Sequence, residues 1–104
     1  MISKHKYGWE KLHGAILALT TIKPLGERAY DACSHYLDRI DSSVHLPSDI
    51  KDDFDELMNK MEGCESKAAV GKYKGVVELD PLELADFVEK ILGYYRVVCS
   101  YREG

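Results

Sequence analysis

The sequence lacks the long apolar run that a membrane helix needs. Its longest nearly uncharged stretch, residues 14–22, falls far short of the roughly 20 apolar residues that cross a bilayer. An exported chain needs an apolar segment followed by a small-residue cleavage site, but Trp9, Glu10, Lys11 and His13 interrupt the N-terminal stretch where that segment would lie. We therefore expect a protein that neither enters a membrane nor is exported, and that lies in the cytoplasm.

Cysteines are few, and their spacing fits neither cross-links nor a metal site. Cys33, Cys64 and Cys99 are an odd number and lie far apart, which predicts reduced thiols rather than a disulfide framework. The histidines do not combine with them at the spacing of zinc ligands. Glu10 and His13 lie one helical turn apart, as in di-iron bundles, but the second such pair and the two further glutamates of those sites are missing. The sequence predicts no metal and no cofactor.

Positive charge is also in short supply. Fourteen Lys and Arg stand against eighteen Asp and Glu, and the resulting charge of −4 gives the molecule no general attraction to phosphate backbones. Neither a Walker loop nor a Gly-x-Gly-x-x-Gly turn is present. Lys67, Lys72 and Lys74 surround Tyr73 in a pattern that can grip single-stranded nucleic acid, but three charges and one ring favour a plain loop. We do not expect nucleic acid as a partner.

Apolar residues, by contrast, recur at helical spacing over most of the chain. Hydrophobic residues make up 45% and charged residues 31% of the 104 residues, which is typical of one globular domain spanning residues 1–104. The spacing predicts four helices, from residue 3 or 6 to 21, from 24 to 40, from 48 to 63 and from 81 to 101. Residues 63–79 are rich in glycine and predict a long loop with room for a short extended piece. The expected fold is all-α: a compact four-helix bundle, mostly antiparallel, with a long loop between helices 3 and 4.

Two prolines mark predicted helix starts. Pro24 suits the first position of the second helix, because its fixed φ and missing N–H cost nothing there. Pro81 does the same for the fourth helix, where Asp80 can cap the first turn. The fourth helix has the widest apolar face, which predicts a central position: Leu84, Phe87, Val88, Ile91, Leu92, Tyr95, Val98 and Cys99. The first helix is predicted to bury Trp9, Leu12, Ala15, Ile16, Leu19 and Ile22.

The third predicted helix is strongly acidic. Between residues 48 and 65 seven acids stand against two lysines, a local balance of −5. A dense acidic face can dock on a basic protein surface, and the candidate partner-binding residues are Asp52, Asp53, Asp55 and Glu56. The alternative is that these side chains form a solvated helix face with no partner.

Arg28 and His35 are the one candidate catalytic pair, two turns apart on the second helix. Their spacing resembles the Arg-x4–6-His motif of HEPN ribonucleases, small all-helical proteins in which the arginine and the histidine act on the scissile phosphate. The resemblance implies that Arg28 holds phosphate and that His35 transfers a proton. Ala29 stands where that family has a polar residue. The alternative is that Arg28 pairs with Asp31 and that His35 is a surface residue.

Three segments also resemble an uncharacterised family of small bacterial all-helical proteins. They are Tyr7-Gly8-Trp9-Glu10-Lys11-Leu12, Leu25-Gly26-Glu27-Arg28, and Leu46-Pro47-Ser48-Asp49-Ile50 continuing through Phe54-Asp55-Glu56-Leu57. The resemblance covers the first half of the chain. It implies a bacterial, cytoplasmic, non-secreted helical protein and nothing about chemistry.

Because no catalytic constellation is complete, we predict a small acidic protein-interaction or regulatory module without catalytic activity. Its partner is expected to be another protein, and a homodimer is left open. The alternative is a HEPN-like ribonuclease that uses Arg28 and His35.

Overall fold

Helices form all the regular structure of residues 5–67 and 69–102, the part of the chain described by the computed structural model, and no strand occurs there. The α-helices are α1 (Lys6–Ala18), α2 (Leu25–His35), α3 (Ser42–His45), α4 (Ser48–Glu62) and α5 (Pro81–Arg102), and two 3₁₀ turns span Leu37–Arg39 and Lys74–Glu78. The prediction of an all-α fold is confirmed. The finer prediction of an antiparallel four-helix bundle stays a prediction. No helix in these residues is both long enough and apolar enough to cross a membrane.

The longest helix, α5, begins where the sequence predicts. Pro81 is its first residue, and the Asp80 carboxylate accepts a hydrogen bond from the backbone N–H of Glu83 at 2.9 Å. That bond satisfies one of the amides that a helix start leaves without a partner. The helix packs against α1, α2 and α4, so its central position is confirmed.

The buried side of α5 differs from the predicted one at one edge. Phe87, Ile91 and Val98 are fully buried as expected, but Leu92 is 42% exposed and Tyr94 is buried in its place. Residues 87, 91, 94 and 98 recur every three or four positions and share one side of the helix. Leu92 falls outside that stripe, so its assignment to the core is wrong.

The first helix is shorter than predicted. It ends at Ala18, and the hydroxyls of Thr20 and Thr21 donate to the carbonyls of Leu17 and Ala18 at 2.7 and 3.1 Å. These side chains satisfy carbonyls that the helix end leaves open, which favours termination there. Ile22 lies beyond the end and is fully exposed, so its assignment to the core is wrong. A start at Ser3 lies outside the described residues.

The second helix also ends early, and an extra helix follows it. Pro24 is the N-cap of α2 rather than its first residue. The helix ends at His35 instead of residue 40, because the chain tightens into the first 3₁₀ turn after His35. The predicted turn at residues 41–43 starts a short helix, α3, because the Asp41 carboxylate accepts a hydrogen bond from the Ser43 amide at 3.1 Å.

The loop predicted between α4 and α5 is exposed at most of the described positions from 65 to 72, but residues 73–76, which we call the packed segment, lie against the core. Tyr73 and Val76 are buried, and the second 3₁₀ turn stands where a short extended piece is expected, so that expectation is wrong. The Glu78 carboxylate accepts hydrogen bonds from the Ser66 hydroxyl and the Lys67 amide. Tyr73 has a φ of 65°, and its hydroxyl donates to Asp38 at 2.7 Å. The Glu78 bonds close the loop on itself, and the Tyr73 hydroxyl ties it to the first 3₁₀ turn.

Candidate interaction surface

The acidic helix α4 presents one buried side, two edges and an outer side. Its buried side is formed by Ile50, Phe54, Leu57, Met58 and Met61. These residues follow the three- and four-residue spacing of an amphipathic helix, which turns the acids outward. The predicted partner-binding acids are distributed over the other three sides.

The edge beside α5 holds Asp53. Its carboxylate accepts a hydrogen bond from the Tyr94 hydroxyl and lies 3.6 Å from the Lys90 ammonium. Asp49, one turn earlier, accepts a hydrogen bond from the Tyr101 hydroxyl at 3.1 Å. Asp53 and Asp49 therefore join α4 to α5 and are occupied within the chain.

The opposite edge holds Asp55. Its carboxylate lies 3.1 Å from the Lys51 ammonium one turn earlier. The Ser42 hydroxyl lowers the pKa of Asp55 most, and Lys51 lowers it further. A hydrogen bond and a cation both favour the charged carboxylate. Asp55 is therefore satisfied locally, between α3 and α4.

The outer side holds Asp52 and Glu56, one turn apart. The Asp52 side chain is fully exposed, with the ammonium of its neighbour Lys51 3.8 Å away. Glu56 is exposed and forms no ion pair with any residue the structure describes. The structure thus brings two of the four predicted acids together and places Asp53 and Asp55 on opposite edges. Their role as a partner-binding set stays a prediction.

A groove between α4 and α5 continues this outer side. It is lined by Asp53, Glu56, Leu57, Lys60, Asp86 and Lys90. Lys90 lies beside Asp53, and Lys60 lies 4.0 Å from Glu83. Asp86, like Glu56, is exposed and has no ion pair within residues 5–67 and 69–102. The groove therefore carries two carboxylates that the described lysines leave uncompensated. We call it the acidic groove.

Tyr94 is hydrogen-bonded to Asp53, one of the residues that line the acidic groove. The pKa of Tyr94 is raised well above its usual range, first by burial, then by its hydrogen bond to Asp53, and further by the charges of Asp53, Asp86 and Glu56. Each nearby carboxylate disfavours a phenolate. Burial contributes most to this shift, and the charges of Asp86 and Glu56, which contribute least, have the sign that a nearby cationic side chain would offset.

Sequence reasoning missed Asp86 and Lys90, the α5 half of the groove. Their only local signal is a pair of opposite charges four residues apart, which also occurs on solvated helix faces. Nothing in the sequence indicates that α4 packs along this edge of α5. The groove is therefore a product of packing rather than of a motif.

The candidate catalytic pair is not assembled as a site. The Arg28 guanidinium donates from Nε to the Lys23 carbonyl at 2.7 Å and from Nη1 to the Leu19 carbonyl at 2.6 Å. His35 is exposed, with its ring edge-on to Tyr36 at 6.5 Å. The proposed pairing of Arg28 with Asp31 is wrong, because Asp31 accepts from the Lys23 ammonium at 3.0 Å.

Replacing Arg28 with alanine is expected to lower the free energy of unfolding by about 2 kcal/mol, because two carbonyls of the link between α1 and α2, those of Leu19 and Lys23, lose a charged donor. Urea denaturation followed by circular dichroism measures the change. Arg28→Lys is the matched control: it keeps the charge but lacks the planar fork, so it should recover only part of the loss. Unchanged stability in Arg28→Ala would contradict a structural role.

Of the predicted nucleic-acid pattern, Lys72, Lys74 and Tyr73 are occupied within the chain, whereas Lys67 is exposed and its ammonium forms no ion pair with a described residue. Lys72 lies 3.7 Å from Asp38 and 3.8 Å from Glu62, and the Lys74 ammonium stands 4.7 Å from the centre of the Tyr30 ring. Tyr73 is 3% exposed, so its ring offers no face on which a base could stack. The arrangement favours the interpretation as a structural segment over a grip for single-stranded nucleic acid.

A cluster that sequence reasoning missed joins α1 to α5. Trp9 stacks on His13 at 4.9 Å and donates from its indole nitrogen to the Cys99 sulfur at 3.2 Å, and His13 Nδ1 lies 3.2 Å from the Tyr95 hydroxyl. Glu10 instead lies 4.0 Å from Lys6. In residues 5–67 and 69–102 no group of three or more His, Cys, Asp or Glu side chains is placed to hold a metal ion.

The chain matches no family model, no curated protein and no solved structure. The resemblance to small bacterial helical proteins therefore stays an expectation. The function of the chain therefore has to be argued from the geometry of its own residues, and the acidic groove is the feature we use for this.

Proposed function

We propose that this chain is a non-enzymatic interaction module that binds a basic surface of a partner protein through the acidic groove and the outer side of α4. The observation that carries the proposal is the position of Glu56 and Asp86. Both are exposed carboxylates on the two walls of one groove, and neither has an ion pair within the described chain. A partner lysine or arginine that enters between them supplies the missing charge.

The rigid setting of these acids supports the proposal. Asp49 and Asp53 tie one edge of α4 to α5, and the hydrogen bond between Asp55 and Ser42 ties the other edge to α3. A surface that is already ordered loses little conformational freedom when a partner binds. The acids of α4 therefore have two different roles. Those on the edges hold the helix in place, whereas Asp52 and Glu56 stay open to a partner.

The scaffold we propose for this surface is the predicted antiparallel arrangement of the four long helices. Contacts between α1 and α5 join His5 with Tyr101 and His13 with Tyr95, and so run in opposite chain directions. The links between α4 and α5 run likewise, from Asp49 with Tyr101 to Lys60 with Glu83. We further propose a bacterial, cytoplasmic setting, in keeping with three free thiols.

The test removes charge without changing shape. We expect Asp52→Asn/Glu56→Gln/Asp86→Asn to weaken binding of the partner at least about tenfold, because charge-assisted contacts are lost. Pull-down from a lysate of the source organism, followed by titration of the captured protein at several salt concentrations, measures the loss. Affinity of the wild type should fall as salt rises.

The matched control is Glu10→Gln/Glu27→Gln/Asp31→Asn, which removes the same number of charges from α1 and α2. It should capture the same partners as the wild type with the same affinity. Identical partner lists and affinities for the wild type and the groove variant would refute the proposal for this surface.

The alternative function is a ribonuclease of the HEPN type, and one observation favours it. His35 is exposed two turns from Arg28 on the same helix, where a substrate can reach it. The contacts of Arg28 argue for a structural role instead. Incubation of total RNA with the wild type, Arg28→Lys and His35→Ala decides the matter: cleavage that both variants abolish would establish the nuclease and displace the interaction module.

A further inference from the structure

The side of α5 that faces away from the core is uncovered along most of the helix. Phe87, Ile91 and Val98 are fully buried on the inner side, whereas the outer side carries Leu82, Ala85, Glu89, Leu92, Arg96 and Ser100, all exposed. Leu82 is 83% and Leu92 42% exposed. We call these six residues the outer face of α5. It is apolar at three positions, although no element described in the structure covers it.

A glycine borders this face in the middle of the helix. A Cβ atom added at Gly93 would meet nothing within 4 Å, so no neighbour within the described chain requires a glycine there. Glycine in a helix interior is destabilising relative to alanine. A missing side chain on a helix surface does, however, let a second helix approach closely, and Gly93 provides such a notch beside the exposed Leu92.

Two charges flank the glycine symmetrically. Glu89 and Arg96 are both exposed and lie two turns apart, and neither forms an ion pair with another described residue. Their midpoint falls between Leu92 and Gly93. A two-fold axis through that midpoint places Glu89 of one copy opposite Arg96 of another, and the same pair recurs on the other side of the axis. It also places Leu92 of each copy over Gly93 of the other.

We infer that the outer face of α5 is a self-association surface, and that its occupant is α5 of a second copy of this chain, running antiparallel. Symmetry about a two-fold axis requires a surface to be complementary to itself, and this face meets that requirement in charge and in shape. A single pair of helices buries less than the roughly 1,600 Å² of a standard interface, so the dimer is weak and depends on concentration. The inference is independent of the acidic groove.

Charge reversal at the two flanking positions tests the inference. Sedimentation velocity from about 10 to 500 μM should show a monomer–dimer equilibrium for the wild type. Glu89→Arg places two arginines opposite each other, and Arg96→Glu places two glutamates there, so each variant should dimerise at least about tenfold more weakly. The double variant Glu89→Arg/Arg96→Glu exchanges the two charges and should restore the dimer.

Two controls keep the outcome decisive. Glu27→Arg makes the same charge change on α2 and should dimerise like the wild type. Thermal unfolding at low concentration should give all variants the same Tm, because Glu89 and Arg96 form no ion pair with other described residues. A wild type that stays monomeric up to about 500 μM, single variants that dimerise normally, or a double variant that fails to recover would each overturn the inference.

Discussion

Replacing Gly75 with alanine is expected to lower the free energy of unfolding by about 3 kcal/mol. The new Cβ atom would lie closer than 3.0 Å to the carbonyl group of Cys64 and 2.6 Å from the carbonyl carbon of Glu65. These are backbone atoms and cannot rotate away, so the second 3₁₀ turn must move off the end of α4. Buried Tyr73 and Val76 belong to the same segment and would lose contacts with the core.

Thermal unfolding followed by circular dichroism measures this effect. A loss of that size lowers Tm by roughly 15 °C in a domain of about this length. Gly93→Ala is the matched control, because its Cβ enters open space within the described chain and should stabilise α5 by up to about 1 kcal/mol in dilute protein. A Tm of Gly75→Ala that stays within a few degrees of the wild-type Tm, as expected for Gly93→Ala, would show that a side chain at residue 75 does not clash with the backbone of Cys64.

Replacing Phe87 with alanine is expected to cost about 4 kcal/mol, the other large effect in this chain. The ring is fully buried in the second turn of α5, the helix that packs against three others. Its removal forfeits the transfer free energy of the ring and leaves a cavity that the surrounding helices fill only in part. A domain of this size is stable by only about 5–15 kcal/mol, so the variant should be close to unfolding at 37 °C.

Urea denaturation gives the change directly from the transition midpoint. Leu82→Ala on the same helix is the control, since Leu82 is 83% exposed and its truncation should change stability by less than about 0.5 kcal/mol in dilute protein. A Phe87→Ala variant that loses less than about 1 kcal/mol would contradict the central position of this ring.

The sequence predicts the parts of the fold that depend on neighbours a few residues apart. The bounds of α4 and α5 follow from apolar spacing and, for α5, from the Asp80 cap, all of which lie within one or two turns. The predicted ends of α1 and α2 lie too far along the chain, because hydroxyl bonds at Thr20 and Thr21 and a tight turn after His35 compete with continued helix. The spacing of apolar residues alone does not indicate where such local bonds end a helix.

The packed segment and the acidic groove could not be predicted, because both depend on residues far apart in the chain. Tyr73 meets Asp38 across 35 positions, and the groove brings Glu56 of α4 beside Asp86 of α5. Likewise, the role of Arg28 depends on carbonyls of the link between α1 and α2 rather than on its spacing from His35. All four predicted acids lie off the buried side of α4, but only the packing separates Asp53 and Asp55 from Asp52 and Glu56.

The contact between α1 and α5 has a consequence for how the chain acquires its structure. Trp9 reaches Cys99 across 90 positions, and His13 reaches Tyr95 across 82. Closing a loop of that length is entropically costly, so α1, which is synthesised before α5, keeps its aromatic side uncovered until α5 has been made and docks. Until then the Trp9 ring is exposed on the growing chain, and exposed apolar surface of this kind promotes aggregation. Docking of α5 reduces that exposure.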